Sequence, residues 1–266
     1  MAETVIRVAM PSKRLHCFLS VEAKRPYCGV ANLCYGRGAD EILFRKGRSM
    51  DYAKLRRVMV DSQVRVNDVT SVDVVRAFST VPREVFAPKS MRASAYAELE
   101  IATSDHRAMW LPRDLGKMFV AFETQPNDVS LVIGAGAGYS AALLGSMTDA
   151  VIALEDDEAL VDAMVDRFAQ IGMDEAVAVQ GDLAKGLPDQ GPFDVIFVAG
   201  RVETVPQAWL DQLADGGRLG VVVASGRGVG AARMYKRAGD TFSYRDVFEC
   251  CPPVLPGFEK KTEFVF

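Results

Sequence analysis

From Met50 to about Val66 the apolar positions Leu55, Val58, Met59 and Val64 recur at helical spacing, which predicts an amphipathic helix. A second helix is predicted over Ser71–Ser79, with Thr70 or Ser71 as its cap and Val72, Val74, Val75 and Phe78 as its apolar face. After residue 128 the pattern changes. Short apolar runs at Val129–Ile133, Ala150–Leu154, Ala176–Gln180, Phe193–Ala199 and Arg218–Val223 predict strands. Between them, Tyr139–Met147, Asp157–Ile171 and Pro206–Ala214 read as helices, and Asp215-Gly216-Gly217 reads as the turn that ends the last one. Such alternation implies parallel βαβ units with helices on both faces of the sheet. The expected fold class is therefore α/β, a doubly wound Rossmann-like sheet behind an amino-terminal helical cap.

Residues 1–49 show neither period. They carry nine Lys/Arg against four Asp/Glu, whereas residues 50–266 carry 22 against 31. The first segment is expected to be a flexible extension, or the true start lies at Met50; a basic presequence is the weaker third reading. The acidic remainder argues against nucleic acid as the main partner. Five cysteines at scattered positions do not form a disulfide framework, and two histidines without zinc-type spacing imply no metal site. A reducing, cytoplasmic setting is expected. The uncharged window Val129–Thr148 is long enough for a membrane helix, but its four glycines and strand-like first half favour a strand, a glycine turn and a buried helix start.

Chemistry concentrates at Gly134-Ala135-Gly136-Ala137-Gly138, between a predicted strand and a predicted helix. Glycine at every second position lets the backbone turn sharply and lets a ligand approach it closely. In an open parallel sheet such a crevice, at the carboxyl ends of the strands, is where ligands sit. Tyr139 stands where the dinucleotide fingerprint needs its third glycine, which argues against NAD. Glu155, just past the next strand, is placed to accept from two ribose hydroxyls; its competing reading is a solvated charge at a helix start. Asp182 follows the third strand and is placed to accept from an adenine amino group, with Leu183 against the ring; alternatively Asp182 caps a short helix. Three strand ends without a phosphate-binding Lys or Arg point to S-adenosylmethionine rather than NAD or ATP.

Over about residues 59–224 the chain resembles the protein-L-isoaspartate O-methyltransferases. The resemblance rests on Met59-Val60-Asp61-Ser62-Gln63-Val64-Arg65, on Val81-Pro82-Arg83-Glu84-Val85-Phe86-Ala87-Pro88 with Ala95-Tyr96, on Ile133 to Tyr139, on Pro192 to Ile196 and on Leu213 to Leu219. It implies a methyltransferase sheet, S-adenosylmethionine contacts at Gly134, Ala135, Gly136, Gly138, Glu155, Asp182 and Leu183, and isoaspartyl residues of damaged proteins as acceptors. Two departures stand out. The family's Thr-Ile-Ser segment beside the reacting carboxyl corresponds to a stretch in Asp105–Pro112 whose Ser position falls on Trp110, and the acid two residues before the first glycine is replaced by Val132. No catalytic residue is assigned; His106 and Arg107 are substrate-side candidates, Arg107 through a carboxylate.

The expected organisation is thus an extension at 1–49 and a methyltransferase domain at 50–266. That domain divides into a cap and substrate side (50–125), a cofactor core (126–224) and carboxyl-terminal strands (225–266). The expected activity is methylation of isoaspartyl carboxylates. The alternatives are a catalytically impaired cofactor-binding homologue with a regulatory role, and a methyltransferase for another acceptor.

Overall fold

A computed structural model describes residues 50–224 and 229–259. Residues 1–49, with the expectation of an extension or a later start, lie outside the described residues. The cap opens with α1 (Tyr52–Met59), which runs on through a π-helical turn at Val60–Val64 and a 3-10 turn at Arg65–Asn67. Asp68, in the left-handed region, ends that run. Next come α2 (Val72–Thr80), the short α3 (Arg83–Phe86) and a hairpin of β1 (Ile101–Ser104) with β2 (Arg107–Met109), followed by α4 (Pro112–Phe122). Ser71 stands at the N-cap of α2 without a side-chain hydrogen bond to the helix.

The main domain contains β3 (Val129–Ile133), α5 (Tyr139–Gly145), β4 (Ala150–Glu155), α6 (Glu158–Ile171), β5 (Ala176–Gln180), β6 (Phe193–Val202), α7 (Gln207–Asp211) and β7 (Leu213–Ala224), then β8 (Gly230–Ala238) and β9 (Thr241–Cys250). Seven strands form one sheet in the order β5-β4-β3-β6-β7-β8-β9. The first five are parallel, and β8 and β9 add antiparallel. From β3 the chain moves outward to β4 and β5, then returns to β6 on the other side, so the order reverses beside β3. That switch point opens a crevice at the carboxyl ends.

Strand periodicity sorts the core into two layers. Val132, Ala153, Val195, Phe197 and Val222 join a cluster with residues of α2, α4, α5 and α6, whereas Leu131, Ile133, Leu154, Ile196, Val198, Leu219 and Val221 face the other way. The second face is covered by α7 through Trp209 and Leu210, by Leu183, and by Leu255 and Phe258 of the carboxyl-terminal segment. The helix expected at Pro206–Ala214 is shorter than its pattern. Leu213 already pairs with Phe193, and Gly216, at φ +79°, turns within β7 rather than closing a helix. Sheet pairing and burial of Leu213 outweigh local helical propensity there. No helix among the described residues is long and apolar enough to cross a membrane.

The cap is fastened by a fully buried Arg83. Its Nε donates to the Ala95 carbonyl and its Nη2 to the Trp110 carbonyl, both at 2.8 Å. Among the described residues no carboxylate is paired with it, and burial lowers its pKa. Its Cζ lies 4.9 Å from the centroid of the Tyr139 ring. Gln63 adds a hydrogen bond to the Tyr96 carbonyl at 2.9 Å. The segments that carry the resemblance therefore have a local task, which is to hold Ala95–Trp110 against the sheet.

At the centre of the first layer Phe197 is fully buried, with the rings of Trp110, Phe119 and Phe122 at 5.1, 5.6 and 6.1 Å. Phe197→Ala should lower stability by about 3–5 kcal/mol in urea unfolding followed by tryptophan fluorescence. A loss below about 1 kcal/mol would mean that this ring cluster does not act as the core of the layer.

Candidate active site

The glycine turn hangs on the neighbouring strand. The Gly134 and Ala135 N–H groups both donate to the Leu154 carbonyl, at 3.0 and 3.1 Å, as β3 ends beside β4. Gly134, Gly136 and Gly138 all have positive φ, which glycine adopts without the clash a Cβ brings. This brings the Gly136 N–H to 2.7 Å from Glu155 Oε2.

Glu155 is fully buried at the end of β4, so it is not a solvated helix-start charge. The helix start is capped by Asp157, whose Oδ1 accepts from Ala159 N at 2.9 Å. The Glu155 carboxylate also accepts from Asp156 N at 3.0 Å on Oε1. Burial pushes its pKa upward, against the pull of Arg107 and the Gly136 N–H. Asp156, in the same hydrogen-bonded cluster with Glu155 and Arg107, is held below the ordinary carboxylate range.

Arg107, expected on the substrate side, lies on this cluster instead. It is 5% exposed; its Nε is 3.0 Å from Glu155 Oε2 and its Nη2 2.8 Å from both Glu155 Oε1 and Asp156 Oδ1. Strand alternation in β2 explains this, since Arg107 and Met109 point inward. His106, its neighbour in the turn, is exposed and takes part through its carbonyl, which accepts from Arg107 Nη1 at 3.2 Å.

Asp182 follows β5 at the third strand end and is exposed. Its Oδ1 accepts from Ala184 N at 2.9 Å and its Oδ2 lies 3.3 Å from Lys185 Nζ. The backbone hydrogen bond first, and Lys185 next, lower its pKa. Leu183 is buried among Trp209 and its neighbours, and its carbonyl accepts from Trp209 Nε1 at 2.7 Å. Asp182 and Leu183 line an open hollow of about 310 Å³ together with Asp156, Pro256 and Phe258.

Trp110 is buried, and its Nε1 donates to the Ala199 carbonyl at 3.1 Å across the end of β6. A cavity of about 20 Å³ lies between it and the glycine turn, lined by Ala135, Ala137, Tyr139, Ser140 and Ala199 among others. That is room for about one water molecule. Val132 is a fully buried core residue.

Sequence reasoning missed the segment after β9. Its Leu255 N donates to the Arg201 carbonyl and Arg201 N to the Pro253 carbonyl, each at 2.9 Å, so it runs along the end of β6. Leu255 is fully buried, with Cδ2 3.1 Å from where a Cβ on Gly134 would stand and Cγ 2.5 Å from one on Gly200. The one sequence signal was Gly200, a glycine placed where another chain comes close.

A model of the protein-L-isoaspartate (D-aspartate) O-methyltransferase family matches residues 56–252. The chain belongs to this family. The family is one of S-adenosylmethionine-dependent methyltransferases. The protein-L-isoaspartate O-methyltransferase of Roseiflexus castenholzii is 34% identical over 192 residues, covering 72% of this chain and 87% of that one. The enzyme of the same name from Methylorubrum extorquens is 33% identical over 196 residues, 74% and 86% of the two chains. Among solved structures, one protein-L-isoaspartate O-methyltransferase has a TM-score of 0.67 at 24% identity; the match covers 77% of this chain and 65% of that chain's length. A putative Plasmodium falciparum member, solved in complex with S-adenosyl-L-homocysteine, has a TM-score of 0.65 at 15% identity, over 78% and 99% of the two chains. These two structures bear on the fold, and they match the seven-stranded sheet with its amino-terminal helices.

The turn is tested by Gly136→Ala. At φ +57° a Cβ there would also lie 3.2 Å from Arg107 Cβ. The substitution should lower stability by about 1–2 kcal/mol, seen as a lower urea midpoint at unchanged slope. An unchanged midpoint would mean that the turn relaxes out of the left-handed region.

Proposed function

We propose that the protein transfers the methyl group of S-adenosylmethionine to the free carboxylate of isoaspartyl residues in damaged proteins. The observation that carries the cofactor half is Glu155, a buried carboxylate at a strand end, anchored by Gly136 N–H beside a turn whose three glycines all have positive φ. The family carries the acceptor half. The donor set fits the nucleoside. Glu155 would hold the ribose hydroxyls, Asp182 and Leu183 the adenine, and the backbone of Gly134, Ala135, Gly136 and Gly138 the amino-acid portion. Bound there, S-adenosylmethionine supplies an electrophilic methyl on a sulfonium.

The protein's own part is positioning. An isoaspartyl carboxylate is ionised at neutral pH, so no general base is needed and no catalytic residue is assigned. Alignment of two reactants alone accounts for several kcal/mol of barrier. Trp110 supplies a wall rather than a hydroxyl, because its N–H is committed to Ala199. Ser140 and Tyr139 are the hydroxyl-bearing residues at the small cavity beside it. The acidic balance of residues 50–266 supports a protein rather than a nucleic-acid partner, and the free thiols Cys250 and Cys251 support a reducing, cytoplasmic compartment.

Trp110 also favours a second reading, a cofactor-binding homologue with a regulatory role or a different acceptor, because the indole fills space beside the glycine turn. One assay separates these readings. Labelled S-adenosylmethionine should give a base-labile methyl ester on an isoaspartyl peptide and none on its aspartyl counterpart. Glu155→Ala should weaken S-adenosylhomocysteine binding about 10–100-fold, the worth of hydrogen bonds to a charged acceptor. Binding without turnover would overturn the isoaspartyl reading in favour of the second.

A further inference from the structure

Glu155 is the acceptor on which the nucleoside reading rests, and in this conformation another group already uses it. A carboxylate has two oxygens with two lone pairs each. One position on each is taken by backbone: Asp156 N on Oε1 at 3.0 Å and Gly136 N on Oε2 at 2.7 Å. The remaining positions point at Arg107, whose Nη2 reaches Oε1 at 2.8 Å and whose Nε reaches Oε2 at 3.0 Å. Two parallel N–H donors on one carboxylate edge present the same pattern as two adjacent hydroxyls. The guanidinium therefore stands in the place of a vicinal diol.

The surroundings give Arg107 a place to go. Its hairpin is held independently, because Ile101 and Met109 are buried and the following Trp110 is tied to Arg83 and Ala199. Next to it lies an open hollow of about 140 Å³ lined by Ser104, His106, Asp156 and Asp157 among others. Nη2 already shares Asp156, whose side chain is 53% exposed. Rotation of one side chain toward Asp156 and Asp157 leaves the guanidinium paired and frees the two Glu155 lone pairs that the backbone does not use. Backbone N–H groups then still fix the carboxylate.

We infer that Arg107 is a built-in competitor for the nucleoside site, a latch that occupies Glu155 and that the ribose must displace outward to the Asp156–Asp157 rim. This rests on the cofactor reading above. Its consequence is thermodynamic, since apparent affinity falls by the fraction of molecules in which Glu155 is free. Arg107 thereby sets the cofactor concentration at which the protein loads, without touching the reacting atoms.

The test is calorimetric titration of S-adenosylhomocysteine into the full-length wild type, Arg107→Met and Arg107→Lys, with thermal melts of each protein alone. Arg107→Met should bind about ten-fold tighter or more, while melting lower by itself, because Glu155 loses its counter-charge. Arg107→Lys keeps the charge but loses the planar fork, and should fall between the two. It also carries the test should Arg107→Met fail to fold. Equal or weaker binding by the variants, with binding by wild type intact, would overturn the latch and make Arg107 a support of the nucleoside site. No binding by any of the three would overturn the cofactor reading and the latch with it.

Discussion

A carboxylate buried without water must find its donors in the protein, and Glu155 is where the architecture of this cleft converges. Its charge is met by Gly136 N–H, Asp156 N–H and Arg107. Each donor comes from a different element: the turn after β3, the step from β4 to α6, and the β1–β2 hairpin. The two backbone donors are fixed by the fold, whereas Arg107 reaches the carboxylate through a side chain. That single requirement fixes the glycine turn against the strand end, and the hairpin, docked by Ile101, Met109 and Trp110, adds its guanidinium to the same carboxylate.

Arg83 does on the cap what Arg107 does in the cleft. It is a buried cation whose partners are the carbonyls of Ala95 and Trp110, not acids. Guanidinium suits this work because its planar donors reach several acceptors in fixed directions. By fixing Trp110, Arg83 also places an indole at the end of β6, against Phe197, and narrows the space beside the glycine turn to about 20 Å³. The family's cap segments thus reach the cleft through packing.

The crevice at the switch point is closed from two sides. Arg107 covers the β4 side, and Leu255, on a segment that runs along β6, covers Gly134 and Gly200. A chain that packs its own residues into a ligand crevice satisfies buried groups and apolar surface there, and a ligand must then compete with those contacts. The fold is that of the family, and in this chain Arg107 and Leu255 are the residues that fill the crevice.

Periodicity by itself determined the parallel sheet, because a buried strand and an amphipathic helix leave different spacings in the sequence, and the strands at 129–133 and 176–180 begin and end where the apolar runs do. The glycine spacing with Glu155 and Asp182 placed three residues at three strand ends, since parallel strands bring their carboxyl ends together. What the sequence left open depended on neighbours distant along the chain. Glu155 had a competing reading as a solvated helix-start charge until tertiary packing buried it, and only that burial makes its partners matter. Leu213 left its predicted helix because a strand was there to pair with. Arg107 looked like a substrate-side cation because nothing local says what an inward-facing hairpin side chain will meet. Its partner is a carboxylate 48 residues away, and that contact exists only once the sheet is built.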